Sequence, residues 1–187
     1  MDEKKLLPAT TPSHWDQLFS REFKNESDRA SVILAAAMID NVLDTLLRAR
    51  LAPVSTGQDT LFDGHNSPIA TFSARIDLAY RVGVISDKMA RDLHIIRRIR
   101  NEFAHNIVGC SYDAPSVRSR IIELNRSSGH IDRCPKTRKN FPDGPRGDLQ
   151  FSISWMLWSL TSDLEIVVPI QSAEPEFGYT EGEKRRK

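Results

Sequence analysis

A chain of 187 residues and 21.2 kDa is long enough to bury one hydrophobic core without help from metal or disulfides. Hydrophobic content of 40% and charged content of 27% exclude a disordered or fibrous chain. A net charge of +1 excludes global attraction to polyanions, so any nucleic-acid site must come from local clusters of basic residues.

The N-terminus "MDEKKLLPATTPSHW" lacks the apolar core of a secretory signal, and no stretch reads as an uninterrupted membrane span. A cytoplasmic protein without membrane association is the expectation. Cys110 and Cys134 have no CxxC spacing and read as free thiols, and nothing calls for a metal or cofactor.

In chain order, residues 1–12 carry Pro8 and Pro12 and are expected to be a flexible lead into a single domain over 13–170. Ser13 is positioned to cap a short helix with Trp15, Leu18, Phe19 and Phe23 at helical spacing. "NESDRASVILAAAMIDNVLDTLLRARLAP" follows, with Asn25, Ser27 and Asp28 as capping candidates and Pro53 as stop. Val32, Ala36, Ile39, Leu43 and Leu46 form one apolar stripe on it, and Ile33, Ala37 and Leu47 a second, predicting burial on two sides.

After a polar loop, Ser67-Pro68 predicts the start of a helix that stops at Gly83. Ser86 and Asp87 restart a helix that is expected to run to Gly109, and Asp113 and Pro115 open another. Residues 126–148, with three prolines and three glycines, read as a loop carrying six basic residues against two acidic ones through Arg146. Arg133, Lys136, Arg138 and Lys139 are its candidates for phosphate contact. A last segment, "LQFSISWMLWSLTSDLEIVV", is capped by Asp148 and ended by Pro169; its length favours a core helix over a strand, with Trp155 and Trp158 as packing residues. Residues 171–187 read as a disordered polar tail. The fold class is therefore all-α, a multi-helix bundle.

The segment "IRRIRNEFAH" carries the functional question. Leu93, Ile96, Phe103 and Ile107 make an apolar stripe in which Arg100 fills the missing step, so its guanidinium must snorkel, pair with an acid such as Asp40 or Asp44, or open into a cleft. Arg75 is the other arginine those aspartates would suit. His94, Asn101 and His105 lie within about 40° of one another on the wheel, whereas Arg100 and His105 are about 140° apart. A histidine that moves a proton and an arginine that stabilises a phosphorane form a metal-independent means of cleaving RNA, but only two copies facing each other would bring both groups to one phosphate. The structural alternative has Arg100 bridging to an aspartate and His105 capping the helix C-terminus, where a cation is favoured.

Arg100-Asn101-Glu102-Phe103-Ala104-His105 resembles the Arg-x4-6-His signature of HEPN domains, helical dimers many of which are metal-independent ribonucleases, toxins and antiviral effectors among them. The resemblance implies a homodimer whose cleft is lined by Arg100 and His105 of both copies, with Asn101 beside the arginine. Residues 13–125, through "SDRASVILAAAMIDNVLDTLLRARL", "LFDGHNSPIATFSARIDLAYRVGVIS" and "DLHIIRRIRNEFAH", also resemble the mannitol repressor (MtlR) family. That implies an all-helical transcriptional regulator that needs no familiar DNA-binding fold. Two functions follow: an endoribonuclease using Arg100, Asn101 and His105, with Arg97 and Arg98 supplementing phosphate contact and an antitoxin as its partner, or a non-catalytic regulator acting through protein partners. Direct helix-turn-helix binding by the helix from Asp87 is disfavoured, because Met89, Leu93, Ile95, Ile96 and Ile99 make it strongly apolar and its arginines lie far from its N-terminus.

Overall fold

The computed structural model describes residues 12–54, 57–106 and 109–173. The expected lead before Pro12, the tail beyond residue 173, and Ile107 fall outside these residues. Eight helices are present among the described residues, and no strand: α1 (Pro12–Phe23), α2 (Asp28–Arg50), α3 (Phe72–Arg81), α4 (Asp87–His105), α5 (Pro115–Ser128), α6 (His130–Arg133), α7 (Pro135–Arg138) and α8 (Pro145–Ile166).

The long helix α2 is central. It packs on α8 along one side and on α3 and α4 along the other, while α1 covers α8 and α5 bridges α4 to α8. Ser27 caps it by accepting from the Ala30 amide at 3.1 Å. Its principal stripe is buried as expected, but of the second only Leu47 is; Ile33 is half-buried and Ala37 exposed. By length and composition α2 is apolar enough to cross a membrane, with mean hydropathy 1.6 over its best window, contrary to the reading of the sequence. Half of that window is buried among neighbouring helices, as suits the core helix of a bundle.

Several boundaries move, each for a local reason. Thr71, not Ser67, caps α3, accepting from Ala74 N at 3.2 Å, while Ser67 turns back onto the Gly64 carbonyl. α4 starts on Ser86 as expected but ends at His105, where Asn106 leaves helical geometry, short of Gly109. Residues 126–148 are not a loop: they hold the end of α5, a left-handed turn at Gly129 (φ +63°), the short helices α6 and α7, and the start of α8. α8 opens at Pro145 rather than after Asp148, and it is buried nearly all round. Its hydroxyls, which suggested a strand, are absorbed locally: Ser154 donates to the Phe151 carbonyl and Thr161 to that of Leu157.

Arg146, counted among the basic residues of this region, is a structural clamp. Its guanidinium donates to the Phe23 and Glu26 carbonyls at 2.7 and 2.8 Å and to Asp28 Oδ1 at 3.1 Å. Asp28 in turn accepts from the Tyr112 amide, and the Tyr112 hydroxyl sits 2.7 Å from Ser31 Oγ. Burial pushes that hydroxyl up to about 12. Three distant segments thus close on one arginine and one aspartate.

His130 stacks on Trp155 with ring centroids 5.5 Å apart, and its Nδ1 is buried without a hydrogen-bond partner among the described residues. Burial first, then Arg133 and Lys88, lowers its pKa from 6.5 to about 4. Between those values the unfolded chain binds a proton that the native state does not, so stability is lost as pH falls through this window. Because the ring is partly exposed, the expected loss is about 1–2 kcal/mol. Burial raises the Asp16, Asp92 and Asp163 carboxyls, which acts in the opposite sense. The comparison with His130→Phe isolates the histidine: the variant should gain on the wild type in urea denaturation at pH 4.5 and not at pH 7.5. An equal difference at both pH values would show that the ring does not titrate this way.

Candidate functional site

The sequence placed Arg100 in the apolar stripe of α4, and the structure corrects this. Leu93, Ile96, Ile99 and Phe103 are buried in continuous 3-3-4 spacing, so Ile99 fills the step and Arg100 stands on the exposed flank. Arg100 makes no ion pair among the described residues; its Nη1 donates to Asn101 Oδ1 at 3.1 Å. The acids first suggested for it are taken by Arg75, which reaches Asp40 at 2.8 Å and Asp44 at 3.1 Å. Arg48 completes the chain, donating to Asp44 and Asp63 at 2.7 Å each and lying over the Phe62 ring. Its hydrogen bond to Asp63 is the main reason its guanidinium is held above the ordinary arginine range.

With Arg75 occupying the acids, the free cationic flank of α4 borders a cleft. A cavity of about 400 Å³ lies between α2, the N-terminus of α3 and α4, with Arg97, Arg100 and Asn101 on one wall. Thr71, Phe72 and Ser73 at the start of α3 form the opposite wall, and Ile33, Ala36 and Ala37 supply an apolar floor from α2. The Arg97 Nε is buried and has no hydrogen-bond partner among the described residues. Asp40 also lines the cleft, its charge countered by Arg75.

The polar arc of α4 is divided among three surroundings. His94 faces α3, its Nε2 3.1 Å from Asp77 Oδ1. Asn101 joins Arg100 at the cleft, whereas His105, exposed at the helix end, is not among the residues lining it. The structure therefore brings Arg97, Arg100 and Asn101 together within one chain and leaves His105 apart. The C-terminal cap assigned to His105 as its structural alternative falls instead to Arg29, which donates to the Phe103 and Asn106 carbonyls from the first turn of α2. Glu102, inside the motif, accepts from Ser116 and Arg120 and ties α4 to α5.

Of the other candidates for phosphate contact, Arg98 is exposed on α4. Arg138 is held by Asp148, at 2.7 Å from Nη2, and by the Phe141 and Gly144 carbonyls. Arg133 donates to the Gly129 and Ser128 carbonyls, while Lys136 and Lys139 are exposed. The basic region thus spends Arg133, Arg138 and Arg146 on its own backbone and acids. Sequence reasoning missed Thr71, Phe72 and Ser73, for which the only signal was a Thr followed by a helix-compatible run, and it missed Arg29, the residue after the capping candidate Asp28. No group of three His, Cys, Asp or Glu side chains suited to a metal occurs among the described residues.

No family model matches the sequence, and no curated protein does. Among solved structures, the chain is similar to that of the MtlR–HPr complex from Escherichia coli, at 16% identity, covering 80% of this chain and 99% of that one with a TM-score of 0.56. The cleft between α2, α3 and α4 is thus set in an MtlR-like, all-helical fold.

Proposed function

We propose that the chain is a non-catalytic regulator of the mannitol repressor type that acts on transcription through a protein partner. The observation that carries this reading is the likeness of the fold to the chain of the MtlR–HPr complex, over 80% of this chain and 99% of that one; within one chain Arg100 and Asn101 share the cleft while His105 stands outside it. Likeness to a protein solved in complex with HPr supports a protein partner, and HPr is the first to test. A second reading, a homodimeric metal-independent endoribonuclease using Arg100, Asn101 and His105 on RNA, draws support from Arg100 being open to solvent and having no carboxylate partner among the described residues.

One experiment separates the two. The purified chain is titrated with HPr by calorimetry and, separately, incubated with total RNA in EDTA. The regulator reading expects saturable HPr binding that survives Arg100→Ala and His105→Ala, with RNA left intact. RNA cleavage in EDTA that both substitutions abolish, in chains that remain folded, would overturn it in favour of the nuclease.

A further inference from the structure

We infer that the cleft between α2, α3 and α4 binds a small organic anion, a phosphomonoester with a compact apolar body. Arg97 and Arg100 lie one turn apart on the same flank of α4, and neither has a carboxylate partner among the described residues. Two like charges at this spacing repel, and no carboxylate among the described residues is paired with either, which is the arrangement of a site whose counter-charge arrives with a ligand. The Arg97 Nε is buried beside the cleft with no hydrogen-bond partner among the described residues, so nothing within them neutralises this guanidinium from behind.

The opposite wall points to the same chemistry. Ala74 N is taken by the Thr71 side chain and Arg75 N by the Thr71 carbonyl, but the Phe72 and Ser73 amides make no hydrogen bond among the described residues, and both residues line the cleft. These are free donors at the positive end of a ten-residue helix, and their residues line the same cleft as Arg97 and Arg100. The Asn101 side chain supplies a further donor. The one acid present, Asp40, is already neutralised by Arg75 at 2.8 Å.

Size and lining narrow the ligand class. A volume of about 400 Å³ is within the range of small-molecule pockets, and the floor of Ile33, Ala36 and Ala37 suits a compact apolar body behind the charged head. A nucleic-acid strand would need a basic track continuing beyond the cleft, whereas Arg133 and Arg138 are held by their own surroundings. The inference is independent of the partner proposed above, since the site would bind its ligand with or without HPr.

The test is titration of the full chain with inorganic phosphate and with phenyl phosphate, followed by NMR or calorimetry. Phosphate is expected to saturate one site at about millimolar concentration, and phenyl phosphate to bind more tightly. Arg97→Gln and Arg100→Gln should each weaken both ligands on the order of tenfold, while Arg98→Gln leaves them unchanged. Ala37→Glu, an exposed helical substitution that keeps both arginines, should abolish binding by placing a carboxylate at the cleft. Absence of binding, equal binding by all four variants, or an RNA oligonucleotide that competes and is weakened as much by Arg98→Gln and Lys136→Gln as by Arg97→Gln would each overturn the inference.

Discussion

Gly147→Ala is expected to destabilise the protein by about 3 kcal/mol, lowering its melting temperature by roughly 6–12 °C. Gly147 is buried in the first turn of α8, where a β-carbon would overlap the Pro142 carbonyl oxygen and come within 2.7 Å of the carbonyl carbon. The obstacle is backbone, so it cannot rotate aside as a side chain would. Relief requires the segment around Pro142 to move, and its neighbour Phe141 is wedged between Phe19, at 6.3 Å, and Phe151, at 5.5 Å. The same movement would pull on Arg138, whose Nη2 lies 3.0 Å from the added carbon. Gly57→Ala is the control: apart from its chain neighbours, no atom of the described residues lies within 4 Å of its added carbon, and a change within about 0.5 kcal/mol is expected. Equal urea midpoints for the two variants would show that the close approach of α8 to residue 142 is not a real constraint.

The core helices were legible because their signals are local and periodic. Ser27 and Ser86 cap where the sequence placed caps, and the main stripe of α2 is buried where its spacing put it. Residues 126–148 were misread because proline and glycine announce an interruption without saying how short it is; Pro135 and Pro145 each sit in the first turn of a helix, the place where proline costs a helix nothing. Arg100 was misplaced for a different reason. A stripe drawn through residues 93, 96 and 103 accepts either 99 or 100 as its missing member, and only packing against α2 and α5 decides that Ile99 is the inner one. The cleft itself was invisible, because its second wall comes from α3 and depends on a start at Thr71 rather than Ser67. The partnership of Arg75 with Asp40 and Asp44 was within reach, having been one of two arginines those acids would suit.

That partnership predicts the second large effect. Arg75→Met should cost about 2–3 kcal/mol, less than the loss of one member of a fully buried pair because Arg75, Asp40 and Asp44 keep 14%, 27% and 22% of their side-chain exposure. The loss is not only of attraction: two carboxylates one helical turn apart on α2 would be left with Arg48 alone, which already serves Asp44 and Asp63. Asp40 lines the cleft, and once released from Arg75 it shares that cleft with the uncompensated cations Arg97 and Arg100. Phosphate binding should therefore weaken about tenfold in Arg75→Met even though that side chain does not line the cleft. Adding Asp40→Asn removes the stranded charge and should restore most of both stability and affinity. Arg81→Met, an exposed arginine at the end of the same helix, should change neither. If Arg75→Met proves as mild as Arg81→Met, or if Asp40→Asn fails to rescue it, then Arg75 does not hold the acids of α2 away from the arginines of α4, and those arginines are not kept free for a ligand.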